Sequence, residues 1–350
     1  MSFTIAFYVH HHGSGHLMRT MQIVNALKGY QVILMGSGLN KIKQLPPHVS
    51  LVHLPLDIPE ENEKVVADSL PPTGLHYAPL GIQGSRDRVA IMTDVFRSHY
   101  PLILVVDVSV EVALLARLAG IPTIIIRQHG KRNDLAHQLA YNSAELLIAP
   151  FAKSMYIGEE DHFFKKTFFA GGFSKFDQTK NDQETDPKMI CILIGKGGTS
   201  INPELILHIA MSCPSYHFNV MGLSNRETHN LKNLQFHGEV NDPALLIGRA
   251  MLMMGNTGHN TVMEMASLNK RFIGIPEARP FEEQLEKAKS IEGRSGILII
   301  HPQQLYQTNW ADVFEKISSK EPDWKDVIHA AALSNVANAI INTGKNFSKY

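Results

Sequence analysis

Short apolar runs of strand length recur along this chain, each followed by a polar turn and many then by a stretch with helical spacing. Strands that return at this interval are joined by crossovers rather than tight hairpins. The sheet they build is parallel and covered on both faces. The first series of runs occupies residues 4–9, 31–35, 50–54, 102–106, 123–126 and 146–149; the second occupies 189–194, 216–220, 234–236, 251–254, 272–275 and 298–300. Between the series, the stretch from Asp177 to Lys188 contains no large apolar residue and reads as a linker.

An α/β chain of 350 residues divided in this way is expected to form two parallel α/β domains, 1–176 and 189–323. The remainder, 324–350, carries an amphipathic pattern from Trp324 to Asn342 that predicts a helix returning to the first domain. Helices are also expected over 16–27 and over 109–119, the latter closed by Gly120 and Pro122. Residues 57–82 carry Pro59, Pro71, Pro72, Gly74, Pro79 and Gly81 and read as a long loop on the acceptor side.

Charge narrows the partners. Lys and Arg number 33, as do Asp and Glu, so no basic field calls for nucleic acid. The two cysteines, Cys191 and Cys213, fit a reduced, cytoplasmic chain. The first apolar run lacks a basic leader, and no run of about 18 apolar residues exists. Peripheral contact with the inner face of a membrane stays compatible with the sequence.

Five features fall where strands end, the edge at which open parallel sheets bind ligands. Gly13-Ser14-Gly15-His16 follows the first run, and His16 opens the next helix, where an imidazole could act as general base. The preceding His10-His11-His12 is a poor metal site, because strand alternation sends His10 and His11 to opposite faces and no carboxylate completes a set. Asp107 follows another run and could orient that imidazole; His129, Lys131 and Arg132 follow a third on the acceptor side, where Lys131 and Arg132 could hold an anionic acceptor. In the second half, Gly197-Gly198-Thr199 lacks the order of a Walker A loop and is weak alone. The stronger feature is Gly255 to Glu264. There Asn256-Thr257-Gly258-His259-Asn260 leads from a strand into a helix and offers free N–H groups and a positive dipole end to a diphosphate. Glu264 stands within reach of sugar hydroxyls, and the two glycine turns together suggest a two-walled cradle.

Gly258 to Glu264, followed by Ile275-Pro276 and Glu283-Gln284, resembles the donor-binding signature of GT-B glycosyltransferases. That group includes the UDP-sugar-dependent transferases and the enzyme that adds N-acetylglucosamine to the peptidoglycan lipid precursor. The resemblance covers about 189–290 well, and the first ~30 residues through the Gly13–His16 turn. It implies two Rossmann-like domains facing a cleft, with Asn260 and the backbone at Thr257 and Gly258 holding the diphosphate. It assigns Glu264 to the ribose, Glu283 and Gln284 to the donor sugar, and the stretch ending at Val240 to the base. Asn256 stands where many relatives carry His, and Glu283 where they carry another acid or Gln.

The expected function is inverting, metal-independent transfer of a sugar, probed first as a UDP-sugar, to a hydroxyl of a cell-envelope glycan, lipid-linked or small-molecule acceptor, with no cofactor. Gly-x-Gly-His-x-x-Arg, Gly13 to Arg19, also resembles nucleotide-sugar hydrolases of nonulosonic-acid synthesis, and a nucleotide-sugar 2-epimerase is a third reading. Acceptor-independent sugar release would mark the first of these alternatives; interconversion of two nucleotide sugars would mark the second.

Overall fold

The computed structural model describes residues 3–11, 14–42, 44–59, 72–158, 160–177, 179, 183–224, 231–240 and 242–348. Its first sheet is built from β1 (Thr4–Val9), β2 (Val32–Gly36), β3 (Val49–His53), β4 (Leu102–Val106), β5 (Thr123–Ile126), β6 (Leu146–Ala149) and β7 (Thr167–Phe169). The helices of this part are α1 (Ser14–Ala26), α2 (Gln83–Ser98), α3 (Val110–Leu118) and α4 (Leu135–Ser143). The second sheet comprises β8 (Asp186–Leu193), β9 (His217–Met221), β10 (Leu234–Gly238), β11 (Ala250–Asn256), β12 (Arg271–Ile275) and β13 (Ile297–Ile299). Its helices are α5 (Pro203–Ser212), α6 (Ala244–Arg249), α7 (His259–Ser267), α8 (Glu283–Ile291) and α9 (Trp310–Ser318); α10 (Ala332–Phe347) ends the chain.

Every strand pairing is parallel. The orders are β3-β2-β1-β4-β5-β6-β7 and β10-β9-β8-β11-β12-β13. In each sheet the winding reverses beside its first strand, so a crevice opens between the carboxyl ends of β1 and β4, and another between those of β8 and β11. Central strands β2, β4 and β11 are buried along their whole length, as helices on both faces require. The architecture is the two-lobed α/β arrangement expected from the apolar runs.

Three local expectations differ from the structure. Helix α2 was not expected, since only Met92, Val95, Phe96 and the stem of Arg88 are buried on it. Strand β8 starts at Asp186, inside the stretch read as linker. The last helix starts at Ala332 rather than Trp324. Trp324 and Val327 instead pack beneath the second sheet, and Asp326 takes a left-handed φ of 61°, which breaks any helix there. Beyond the break, Val336, Ala337 and Ile340 of α10 join Phe3, Ile5 and Ile23 in the core of the first lobe. A side chain at Gly344 would collide with the Phe3 ring at 2.1 Å, so glycine permits this close seating.

Candidate active site

His16 stands in the first turn of α1, beside the end of β4 from which Asp107 projects. Its Nδ1 lies 2.6 Å from Asp107 Oδ2. Arg19, one turn further along α1, donates to the other carboxylate oxygen. Burial by itself would raise the Asp107 pKa, but the Arg19 guanidinium and His16 outweigh it and hold the carboxyl well below its usual range. The charge of an ionised Asp107 at this ion-pair distance favours the proton of a neutral His16 on Nδ1, which leaves the lone pair on Nε2. That tautomer suits proton abstraction from a hydroxyl.

Across the crevice, β11 runs through Thr257 and Gly258 into α7, whose N-terminus meets that of α1. Asn260 Nδ2 donates to Gly15 O at 3.2 Å. Thr257 Oγ1 donates to Gln284 O (2.9 Å), and Gln284 Oε1 accepts from Glu277 N (3.0 Å), which ties this turn to the start of α8. Glu264 is buried, its Oε1 3.3 Å from Lys175 Nζ; burial raises its pKa against the pull of that lysine. Val240 is half-buried and, like Ala244 and Leu246, packs against the apolar cluster of the second lobe.

The glycine turn after β8 is not an open wall of the cradle. Glu277 already accepts from Ser200 N (2.5 Å), Ser200 Oγ (2.9 Å), Thr199 Oγ1 (3.3 Å) and Asn256 Nδ2 (3.1 Å). Arg279 lies across Gly197 and Gly198 and donates to Gly198 O at 2.5 Å. Glu277 was missed in the sequence because it follows the Ile275-Pro276 signature without belonging to it.

Two further expectations change. His10 and His11 do not point to opposite faces: their rings stack at 4.9 Å, because β1 ends at Val9 and strand alternation ends with it. Lys131 and Arg132 each already lie beside a carboxylate. Lys131 Nζ lies 2.9 Å from Glu282, and Arg132 donates to Gln128 Oε1 (3.2 Å), lies 3.7 Å from Glu283 and covers the Phe281 ring. Gly13 lies outside the described residues, as does the side chain of Ser14. Gly130, at φ 115°, lets the backbones of the two lobes touch: Lys131 N donates to Phe281 O at 2.7 Å.

His76 Nε2 and His137 Nδ1 converge on Asp134, at 2.8 and 2.6 Å, as cation ligands could. Arg132 can only donate, and it sits 3.0 Å from His137 Nε2. That fixes the His137 proton on Nδ1, facing Asp134, so the trio is wired as a hydrogen-bonded latch around Phe281. Burial lowers the His137 pKa to about 4.

A second group of bases is enclosed where the lobes meet. Lys287 of α8 is 1% exposed, its Nζ 3.2 Å from His259 Nδ1 and 5.1 Å over the Phe151 ring. His129 packs on the same ring at 3.7 Å. Burial is the largest cause that keeps all three well below their ordinary pKa values; His259 also faces Lys287, Arg19, His129 and His16, His129 faces Lys287, Arg132 and Arg127, and Lys287 faces Arg19 against the opposing pull of Glu283. A base with a lowered folded-state pKa is protonated first in the unfolded chain, so stability falls as pH drops below the unfolded value. For His129 and His259 that decline begins near 6.5 and costs about 1 kcal/mol per histidine per pH unit. Guanidinium unfolding at pH 7.5 and 5.5 should show a smaller acid loss in His259→Asn than in the parent protein. Equal losses would refute the coupling.

Two doubly wound lobes with glycine turns at facing switch points make the GT-B fold. Residues 206–342 match the glycosyltransferase family 28 C-terminal domain. No curated protein matches the chain in sequence. Among solved structures, the glycotransferase of kitacinnamycin is similar at 15% identity, TM-score 0.63, over 98% of this chain and 96% of that one. Acinetobacter baumannii MurG is similar at 13% identity and TM-score 0.59, over the whole of both chains. Arabidopsis thaliana UGT89C1 in complex with UDP is similar at 12% identity and TM-score 0.61, over 98% and 100%. The whole chain thus shares the GT-B fold of these structures, and residues 206–342 match a glycosyltransferase domain.

Proposed function

We propose that the protein transfers a sugar from a nucleoside diphosphate to an acceptor hydroxyl with inversion. The observation that carries the reading is the His16–Asp107 pair set opposite the N-terminus of α7. His16 Nε2 takes the hydroxyl proton, the acceptor oxygen bonds to the anomeric carbon, and the bond from that carbon to the phosphate oxygen breaks on the opposite face. The nucleoside diphosphate leaves with the electron pair. The N-termini of α1 and α7 face its charge, and fixed dipoles of this kind stabilise it without reorganising. None of these steps requires a metal or cofactor. The solved relative with UDP supports a uridine donor as the first to test.

UDP, dTDP, GDP and CDP should be compared by thermal shift, since a nucleotide that binds only the folded state raises Tm. A rise with UDP above the others is expected; no rise with any of the four would refute the donor site. Glu264→Ala is expected to weaken nucleotide affinity on the order of tenfold, the loss of about one charge-assisted hydrogen bond. Unchanged affinity would remove Glu264 from the ribose role. The same Gly13–Arg19 turn fits a hydrolase, which would release sugar equally well without any acceptor.

A further inference from the structure

A cavity of about 650 Å³ opens in the first lobe between the end of β1, α2 and α3. That volume is in the range of small-molecule sites. His10 is at its edge, with its ring 6.0 Å from that of His16. The cavity therefore comes near His16 through His10.

Its charged groups are already engaged. Arg88 sits 2.9 Å from Asp57 and donates to Tyr8 Oη (2.6 Å) and Pro55 O (3.2 Å). Glu111 accepts from His76 N (2.7 Å), Tyr77 N (2.9 Å) and Ser109 Oγ (2.9 Å). Among the described residues of the lining, Arg88 is the one Lys or Arg against two carboxylates, and Lys131 and Arg132 lie beside Glu282 and Glu283. Most of the remaining wall is apolar, with His10, His11, Ser85 and Ser109 among its polar members. Ile58, Tyr77, Leu80 and Val89 line it while remaining 43–58% exposed, apolar surface that a ligand would cover.

We infer that this cavity holds the acceptor, and that the acceptor is an uncharged, mainly apolar, ring-bearing alcohol or phenol. A phosphorylated or carboxylated acceptor would meet paired charges and a net negative wall. The inference rests on His16 as the base of a transferase, and its test separates the two claims.

N-phenyl-1-naphthylamine and 8-anilino-1-naphthalenesulfonate share one ring system and differ by a sulfonate. Fluorescence titration of the whole chain is expected to give at least about tenfold tighter binding of the neutral compound, because burying an unpaired charge is costly. Val89→Glu, on the exposed face of α2, should weaken that binding about tenfold and leave the nucleotide thermal shift unchanged. Equal binding of the two compounds, or no effect of Val89→Glu, overturns the inference. With a nucleotide sugar that raises Tm, 2-naphthol should be glycosylated and 6-hydroxynaphthalene-2-sulfonate should not; equal transfer to both overturns it as well. Preferential binding of the neutral compound without transfer to either would uphold the cavity's chemistry and count against the transferase reading.

Discussion

His16→Ala is expected to lower turnover by a factor on the order of 10²–10⁴, the usual loss when a general base is removed. Asp107 and Arg19 would still satisfy each other, so the fold should persist and nucleotide binding should change little. Steady-state release of nucleoside diphosphate, measured beside a nucleotide thermal shift, reads both. Turnover within a few-fold of the parent, with binding intact, would end the assignment. A pH profile adds an independent mark: the acid limb of kcat/KM in the parent protein reports a free-enzyme base, and that limb should vanish in the variant.

Asp107→Asn should be costly in two distinct ways. It leaves Arg19, only 5% exposed, without its counter-ion, and breaking one partner of a buried pair costs about 3–5 kcal/mol. It also replaces an acceptor that fixes the His16 tautomer with an amide that can present N–H to Nδ1, so turnover should fall on the order of 10²–10⁴ as well. The two losses can be separated. Arg19→Met placed on Asp107→Asn removes the orphaned charge and should restore much of the stability measured in guanidinium. Activity should stay low. If the double variant regained activity together with stability, Asp107 would be a structural counter-ion and nothing more.

The parts of the site that could be read from the chain are those set by local sequence. His16, Asp107 and the Asn256–Asn260 turn all follow apolar runs, and the crossover rule puts the ends of such runs on one edge of a sheet. Helix α2 escaped detection because an arginine, Arg88, occupies one of its inward positions, its guanidinium taken up by Asp57 and Tyr8. The pattern from Trp324 onward misled for another reason. Its apolar residues serve two different cores, Trp324 and Val327 in one and Val336 and Ile340 in the other, with a left-handed Asp326 between them. Periodicity cannot tell one surface from two.

Lys287 shows the same limit at the site itself. Three residues beyond Gln284 on an otherwise charged helix, it reads as a solvated lysine, yet it is enclosed against His259 and Phe151 because the lobes close over it. Lys131, Arg132 and Thr199 looked available to a ligand and are instead bound to Glu282, Glu283 and Glu277 from another part of the chain. The sequence determined two parallel sheets and which residues stand at their carboxyl edges, since both follow from the spacing of apolar residues along a few turns of chain. Only the tertiary structure decided which polar groups face the cleft and which face each other. A charge finds its partner through space, at distances of a few ångströms that no local pattern encodes.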